Sequence, residues 1–334
     1  MRHYFLMIML SSFYFLTGTA QQKINLDEDW KFHLGHASNP EKDFNYGITT
    51  IFSKSGGAAN TAIDPSFKDS NWTSIQIPHD WAVQLPFVKH PNFDVQSHGY
   101  KPIGGFFPET SIGWYRKHFS LEKKDSNNRF SIQFDGLFRN ASFWLNGFYL
   151  GTNQSGYVGV NYDVSDYAQF DKENVLVVRV DATQYEGWFY EGAGIYRHVW
   201  LNQFDNLHVA ENGMFVHAKV DGQNASVTFE TEIVNQQHQA TTCYIQSIIK
   251  DREGKIISRA DEKQIEIAAN QNVKVQQALT LSNCHLWNLD DPYLYSASVL
   301  ITKNGNTIHE SSSRLGIRDI RIDANKGLFL NGKH

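Results

Sequence analysis

From Arg129 to Asp135, apolar and polar residues alternate one by one. That period of two puts Phe130, Ile132 and Phe134 on one face and predicts a half-buried β-strand. Residues 225–234 alternate in the same way, and 114–121, 140–146 and 195–201 read as further strands. Residues 175–180 are almost continuously apolar, the pattern of a strand covered on both faces. No long helical period follows residue 20. Short apolar runs are instead separated by Gly, Asn and Asp, an all-β pattern. Residues 24–204 thus predict one β-sandwich. Its long irregular part, 36–112, is rich in Gly, Pro, Asn and His, and irregular stretches of that length are uncommon unless they carry function.

A second module begins near Asn206. Strands are expected at 225–234, 242–250, 255–260, 272–281 and 293–302, with a hairpin turn at 251–254. Asn304-Gly305 predicts another hairpin, because Asn-Gly accepts the positive φ angles of a type I′ turn. Such closely spaced short strands predict an immunoglobulin-like sandwich, although the Cys–Trp–Cys hallmark of antibody domains is absent. After Arg318, residues 319–323 and 328–330 predict a small ribbon. A lone two-stranded ribbon cannot bury its own apolar face, so the sequence reads as stopping at the threshold of another domain.

The N-terminus adds a leader to this plan. Arg2 and His3 precede an apolar run from Tyr4 to Leu16, then Thr17-Gly-Thr-Ala20. A basic start, a short apolar core and small residues at the cut predict a signal peptide cleaved after Ala20, and hence export to the periplasm or beyond. The run is too short to span a bilayer, and no Cys follows it, so no membrane anchor is expected. The expected layout is a signal peptide at 1–20, a sandwich at 21–205, a second sandwich at 206–317 and a truncated element at 318–334.

Composition changes this picture only at the edges. Hydrophobic residues make up 41% of the 334 and charged residues 19%, which excludes a disordered or membrane-embedded chain. The net charge of −5, with no basic stripe, excludes nucleic acid as a partner. Aromatics reach 14%. They suit pleated strands and equally suit stacking on sugar rings. Export permits a disulfide between Cys243 and Cys284, with two free, buried thiols as the preferred reading. His33 and His36, three apart on an expected strand, point to opposite faces. No Cys/His group has zinc spacing, so neither a transition metal nor any cofactor is expected.

Six motifs carry chemistry. They are Pro78-His-Asp-Trp81, Gly113-Trp-Tyr-Arg-Lys117, Phe134-Asp-Gly-Leu-Phe-Arg-Asn-Ala-Ser-Phe-Trp-Leu-Asn-Gly147, Gly192-Ala-Gly-Ile-Tyr-Arg-His-Val-Trp200, Leu286-Trp-Asn-Leu-Asp-Asp-Pro-Tyr-Leu-Tyr295 and Arg314-Leu-Gly-Ile-Arg318 with Gly327-Leu-Phe-Leu-Asn-Gly332. In this order and spacing the chain resembles the N-terminal part of glycoside hydrolase family 2, which holds β-galactosidases, β-glucuronidases and β-mannosidases. The resemblance implies a jelly-roll sugar-binding domain, an immunoglobulin-like domain and then a (β/α)8 barrel, whose entry ribbon matches 319–332. It also implies a retaining mechanism, which needs two carboxylates roughly 5–5.5 Å apart. In the family both are glutamates on the barrel, and neither motif occurs before His334, so no catalytic residue is assigned and this chain alone is expected to be inactive.

The resemblance implies substrate contacts from first-domain loops. Trp188 and Tyr190 then stack on a sugar face, and Glu191 accepts from its hydroxyls; a packed structural loop is the alternative. His79 and Asp80 form a second candidate, against the alternative of a buried polar knot. Arg116, Arg139 and Arg197 read as ion pairs of the fold, and Asp27-Glu-Asp29 and Asp290-Asp291 as turn and cap formers. The expected function is an exported exo-β-glycosidase acting on terminal β-galactosides, with room for a homo-oligomer. The alternatives are a β-glucuronidase-type member of the family and a stand-alone carbohydrate-binding or adhesion sandwich.

Overall fold

The computed structural model describes residues 21–47, 60–86, 107–184 and 192–334. The expected signal peptide and the candidates Trp188, Tyr190 and Glu191 lie outside the described residues. Among the described residues there is no α-helix and no (β/α)8 barrel; antiparallel sheets make up the fold. The chain divides into two compact units, Gln22–Phe204 and Asp205–His334.

The first unit is a sandwich. One sheet runs Gln22–Asn25, Val199–Phe204, Arg129–Phe134, Val160–Asp163. The other runs Thr73–Ile75, Trp30–Leu34, Ile112–Ser120, Glu173–Asp181, Ala141–Leu145, Phe148–Asn153. Phe130, Ile132 and Phe134 all point into the core between the sheets, as their alternation predicts. They meet Phe143, Leu176, Val178 and Leu201 there. The strand Glu173–Asp181 is the continuously apolar one. Its Leu176 and Val178 enter this core, while Val175 and Val177 enter a second core on the opposite face of the six-stranded sheet.

That second core takes in part of the irregular stretch 36–112. The irregular segment is largely structural where it is described: Ala62, Ile63 and Trp72 pack with Trp114 and Trp144, flanked by Phe44, Tyr46 and Phe67. Two buried charges fasten it. Arg116 points the same way as Trp114, two residues before it, and is fully buried. Its guanidinium meets five acceptors: Asp69 Oδ2 at 2.8 Å and the carbonyls of Ala62, Asp64, Pro65 and Phe67. A guanidinium has five N–H donors, so this group is saturated. Asp43 accepts from Trp114 Nε1 at 2.7 Å and from Arg179 at 2.9 and 3.1 Å, with Arg179 lying over the Tyr46 ring.

The second unit is also a sandwich. Leu207–Asp221, Asn224–Asn235 and Gln271–Leu281 form one sheet. Ile256–Arg259, Thr241–Lys250, Tyr295–Lys303 and Asn306–Leu315 form the other, with Lys263–Ile267 also paired to Thr241–Lys250. Val227, Phe229, Ile245, Val299 and Ile301 fill the space between them. Asn304 and Gly305 take φ of 51° and 77°, so the predicted primed hairpin is present. Cys243 is buried but Cys284 only partly so, and both thiols are free. The ribbon Ile320–Asp323 with Gly327–Leu330 forms where expected and leaves Ile320, Ile322 and Leu328 exposed.

Candidate functional site

Three segments of the first unit meet around Pro78-His-Asp-Trp81. Residues 193–195 run through the middle. On one side His79 N–H donates to Ile195 O at 2.7 Å and Trp81 N–H to Ala193 O at 3.0 Å. On the other side Phe138 and Gly194 exchange backbone hydrogen bonds of 2.9 and 2.8 Å. The packing is close enough to require glycine. Gly194 has a φ of 128°, and a Cβ there would lie 2.4 Å from the Tyr115 hydroxyl and 2.5 Å from His79 O.

Asp80 ties this junction together. Its Oδ1 accepts from Ala82 N–H, capping the short 3-10 helix Trp81–Gln84, and from Ala193 N–H, both at 2.9 Å. Among the described residues Oδ2 accepts no hydrogen bond. It lies beside Gly192, where a Cβ would come within 2.5 Å of it. One oxygen therefore holds the backbone of both segments.

His79 is half-buried. Its Nδ1 is hydrogen-bonded to the Tyr115 hydroxyl at 2.9 Å, and its ring meets Phe32 edge-on at 4.7 Å. Burial holds its pKa below the ordinary value, against the pull of Asp80. Burial also lifts Tyr115 well above the ordinary phenol. Both shifts favour the neutral side chains at pH 7. Trp81 Nε1 donates to Thr110 O at 2.7 Å.

The structure thus gathers His79 and Asp80 against 192–195, the segment that follows directly on Glu191. Tyr115 belongs to the same cluster. It sits inside a recognised motif, but nothing in the sequence marks it as the partner of His79.

Other expectations resolve locally. Arg116 is the buried ion pair expected, with Asp69. Arg139 donates to Gln184 Oε1 at 2.8 Å. Arg197 is a correction: it is exposed and makes no ion pair among the described residues. His36 lies past the end of the strand Trp30–Leu34, and its Nδ1 accepts from Ser38 and Asn39 N–H, so the opposite-faces argument does not apply to it. Asp27 fastens a neighbouring strand by accepting from Val199 N–H at 2.9 Å.

Acid–base chemistry finds little support here. Among the described residues Asp43 is the one carboxyl pushed above its ordinary value, by burial. It is 2% exposed beneath Arg179 and Trp114, out of reach of a substrate. Also among the described residues, no three His, Cys, Asp or Glu side chains converge as metal ligands.

Residues 50–204 match the family model for the sugar binding domain of glycosyl hydrolases family 2. Two antiparallel sandwiches, the first matching a sugar binding domain, define the class: paired β-modules of the kind that glycosyl hydrolases carry. Residues 207–318 match a second model, glycosyl hydrolases family 2. The chain belongs to glycosyl hydrolase family 2. Similar relatives include the β-galactosidase BoGH2A of Bacteroides ovatus, 32% identical over 94% of this chain and 33% of that protein. A β-glucuronidase of Formosa agariphila is 28% identical over 95% of this chain and 32% of its own length. Among solved structures, a family 2 member from Bacteroides cellulosilyticus superposes with a TM-score of 0.77 at 28% identity, covering 93% of this chain and 38% of that one. The chain spans about a third of the length of the curated relatives it matches.

Proposed function

We propose that the two sandwiches are the N-terminal, substrate-framing part of an exported, retaining exo-β-glycosidase. The observation that carries this is the Asp80 clamp. It holds residues 192–195 by the Ala193 N–H and keeps Oδ2 open beside Gly192, at the foot of the segment bearing Trp188, Tyr190 and Glu191. In this reading those aromatics stack on the terminal sugar while Asp80, Glu191 and His79 take its hydroxyls. Loops placed by a rigid scaffold commonly serve in this way.

Two sugars compete at one carbon. A galactoside has a hydroxymethyl group at C6 and a glucuronide a carboxylate. The relatives similar to this chain carry both names, β-galactosidase and β-glucuronidase. The glucuronide reading therefore stands beside the galactoside one, and the proposal is made for a terminal β-hexoside.

The test is to express the product of the complete reading frame and assay nitrophenyl β-galactoside and β-glucuronide, following the anomer released by NMR. Turnover of one of them with retention is expected. The 334-residue chain assayed alone is expected to release no nitrophenol. Turnover by the purified chain alone would overturn the assignment of the two catalytic carboxylates to a barrel.

A further inference from the structure

The outer face of the three-stranded sheet in the second unit carries an open hollow of about 410 Å³. That volume is within the range of small-ligand sites. A break in strand register makes one wall. Leu207–Asp221 loses pairing with Asn224–Asn235 between Val209 and Met214, and Asn212 takes a φ of 53°. Gly213 lets this bulge sit low, because a Cβ there would come within 2.8 Å of Ala210 O and 3.0 Å of Glu232 O.

The floor is a row across all three strands. Phe215 is in register with Glu230, and Glu230 with Gln276. Two interstrand spacings make the row about 10 Å long, the length of a disaccharide. The opposite wall is engaged already: Glu232 accepts from Asn272 Nδ2 and lies 3.8 Å from Lys274 Nζ. The row is less engaged. Among the described residues the side chains of Glu230 and Gln276 make no hydrogen bond or ion pair, and Phe215 is 60% exposed, its ring meeting that of His217 at 5.4 Å.

This combination has a specific chemistry. An exposed aromatic face suits the C–H face of a pyranose. A free carboxylate accepts hydroxyl hydrogen bonds, and a free amide both donates and accepts. With Glu232 set against Lys274, Glu230 leaves the lining with one net negative charge, which disfavours a uronate or phosphate, since like charges at close range repel. We propose that the hollow is a saccharide-binding site for a neutral disaccharide unit, with Phe215 beneath one ring and Glu230 and Gln276 on its hydroxyls. The site lies wholly within the second unit and is independent of the glycosidase reading.

Calorimetric titration of the purified chain with lactose, cellobiose and methyl β-glucuronide tests this. At least one neutral disaccharide should saturate in the millimolar range, and the glucuronide should not compete for the same site. Phe215→Ala should weaken the neutral sugar about tenfold, the worth of one good ring contact. Glu230→Gln keeps the shape and should weaken it severalfold, so it carries the test if Phe215→Ala fails to fold. Three results would overturn the proposal: no saturation by either neutral disaccharide, variants that bind as well as the parent, or glucuronide binding lost with Phe215. Self-association in sedimentation that Phe215→Ala abolishes would assign the face to a second copy and overturn it too.

Discussion

Replacing His309 by leucine should flatten the pH dependence of stability in the Asp205–His334 unit. His309 lies in the strand Asn306–Leu315, is 3% exposed, and its Nδ1 is enclosed without a hydrogen-bond partner. Burial, reinforced by the His208 ring 6.1 Å away on the strand Leu207–Asp221, drives its pKa from 6.5 down to about 3. His208 is itself tied through Nδ1 to Asp205 O at 2.9 Å, so it has no freedom to turn away. The unfolded chain takes up a proton near pH 6.5, whereas the folded one resists until about pH 3. Between those values the unfolded state binds more protons. The proton-linked cost of His309 is therefore absent above pH 6.5 and grows as pH falls towards 3. At pH 5 the loss is about 2 kcal/mol, from roughly 1.4 kcal/mol for each pH unit below the unfolded value. That is a substantial part of a typical domain's stability. Leucine is of similar size and takes no proton. Hydrogen exchange of the amides in Tyr295–Lys303 and Asn306–Leu315, corrected for intrinsic rates, reads the local opening energy at pH 5 and pH 8. The difference between variant and parent should move in the variant's favour by about 2 kcal/mol on going to pH 5. Parallel pH profiles for the two proteins would refute the reasoning.

Other perturbations probe the first unit. Arg116→Met strands four loop carbonyls in the second core and leaves Asp69 with His118 Nε2, 2.8 Å away, as its remaining partner, and urea unfolding should show a loss of about 3–5 kcal/mol. Gly113→Ala would place a Cβ 2.4 Å from the Trp81 ring; a cost of about 1–3 kcal/mol should appear as a lowered melting temperature. Asp80→Ala leaves Ala82 and Ala193 N–H without their acceptor and should cost about 1–3 kcal/mol, whereas Asp80→Asn retains an acceptor and should cost less. Comparing the two by limited proteolysis near residue 192 separates the clamp from the charge.

Regular strands were legible in the sequence because their burial follows a simple period. Residues 225–234 alternate in sequence, and the structure buries every second position of that strand. The type I′ hairpin was legible because its chemistry is local to Asn304 and Gly305. The irregular segment was not legible: Phe44, Ile63 and Trp72 have no common period, and only the outer face of a distant sheet gives them a shared destination. The double role of Asp80 was hidden for a related reason. One of its donors, Ala193 N–H, comes from 113 positions along the chain. The row of Phe215, Glu230 and Gln276 left only a faint sign, an aromatic on the polar side of an alternating strand.

The two buried charges of the first unit have a consequence for chain continuity. Asp43 secures the part of the irregular segment before residue 48 to Arg179, and Arg116 separately secures the part after residue 59. Neither anchor passes through the other. A single protease cut between Gly47 and Asn60 should therefore leave both new ends attached, close together in the outer core, where Asn45 Nδ2 donates to Asn60 O at 3.0 Å. The nicked protein would run as two pieces in denaturant and as one in buffer. The same independence makes this stretch a natural place to open the chain for circular permutation or to insert a reporter.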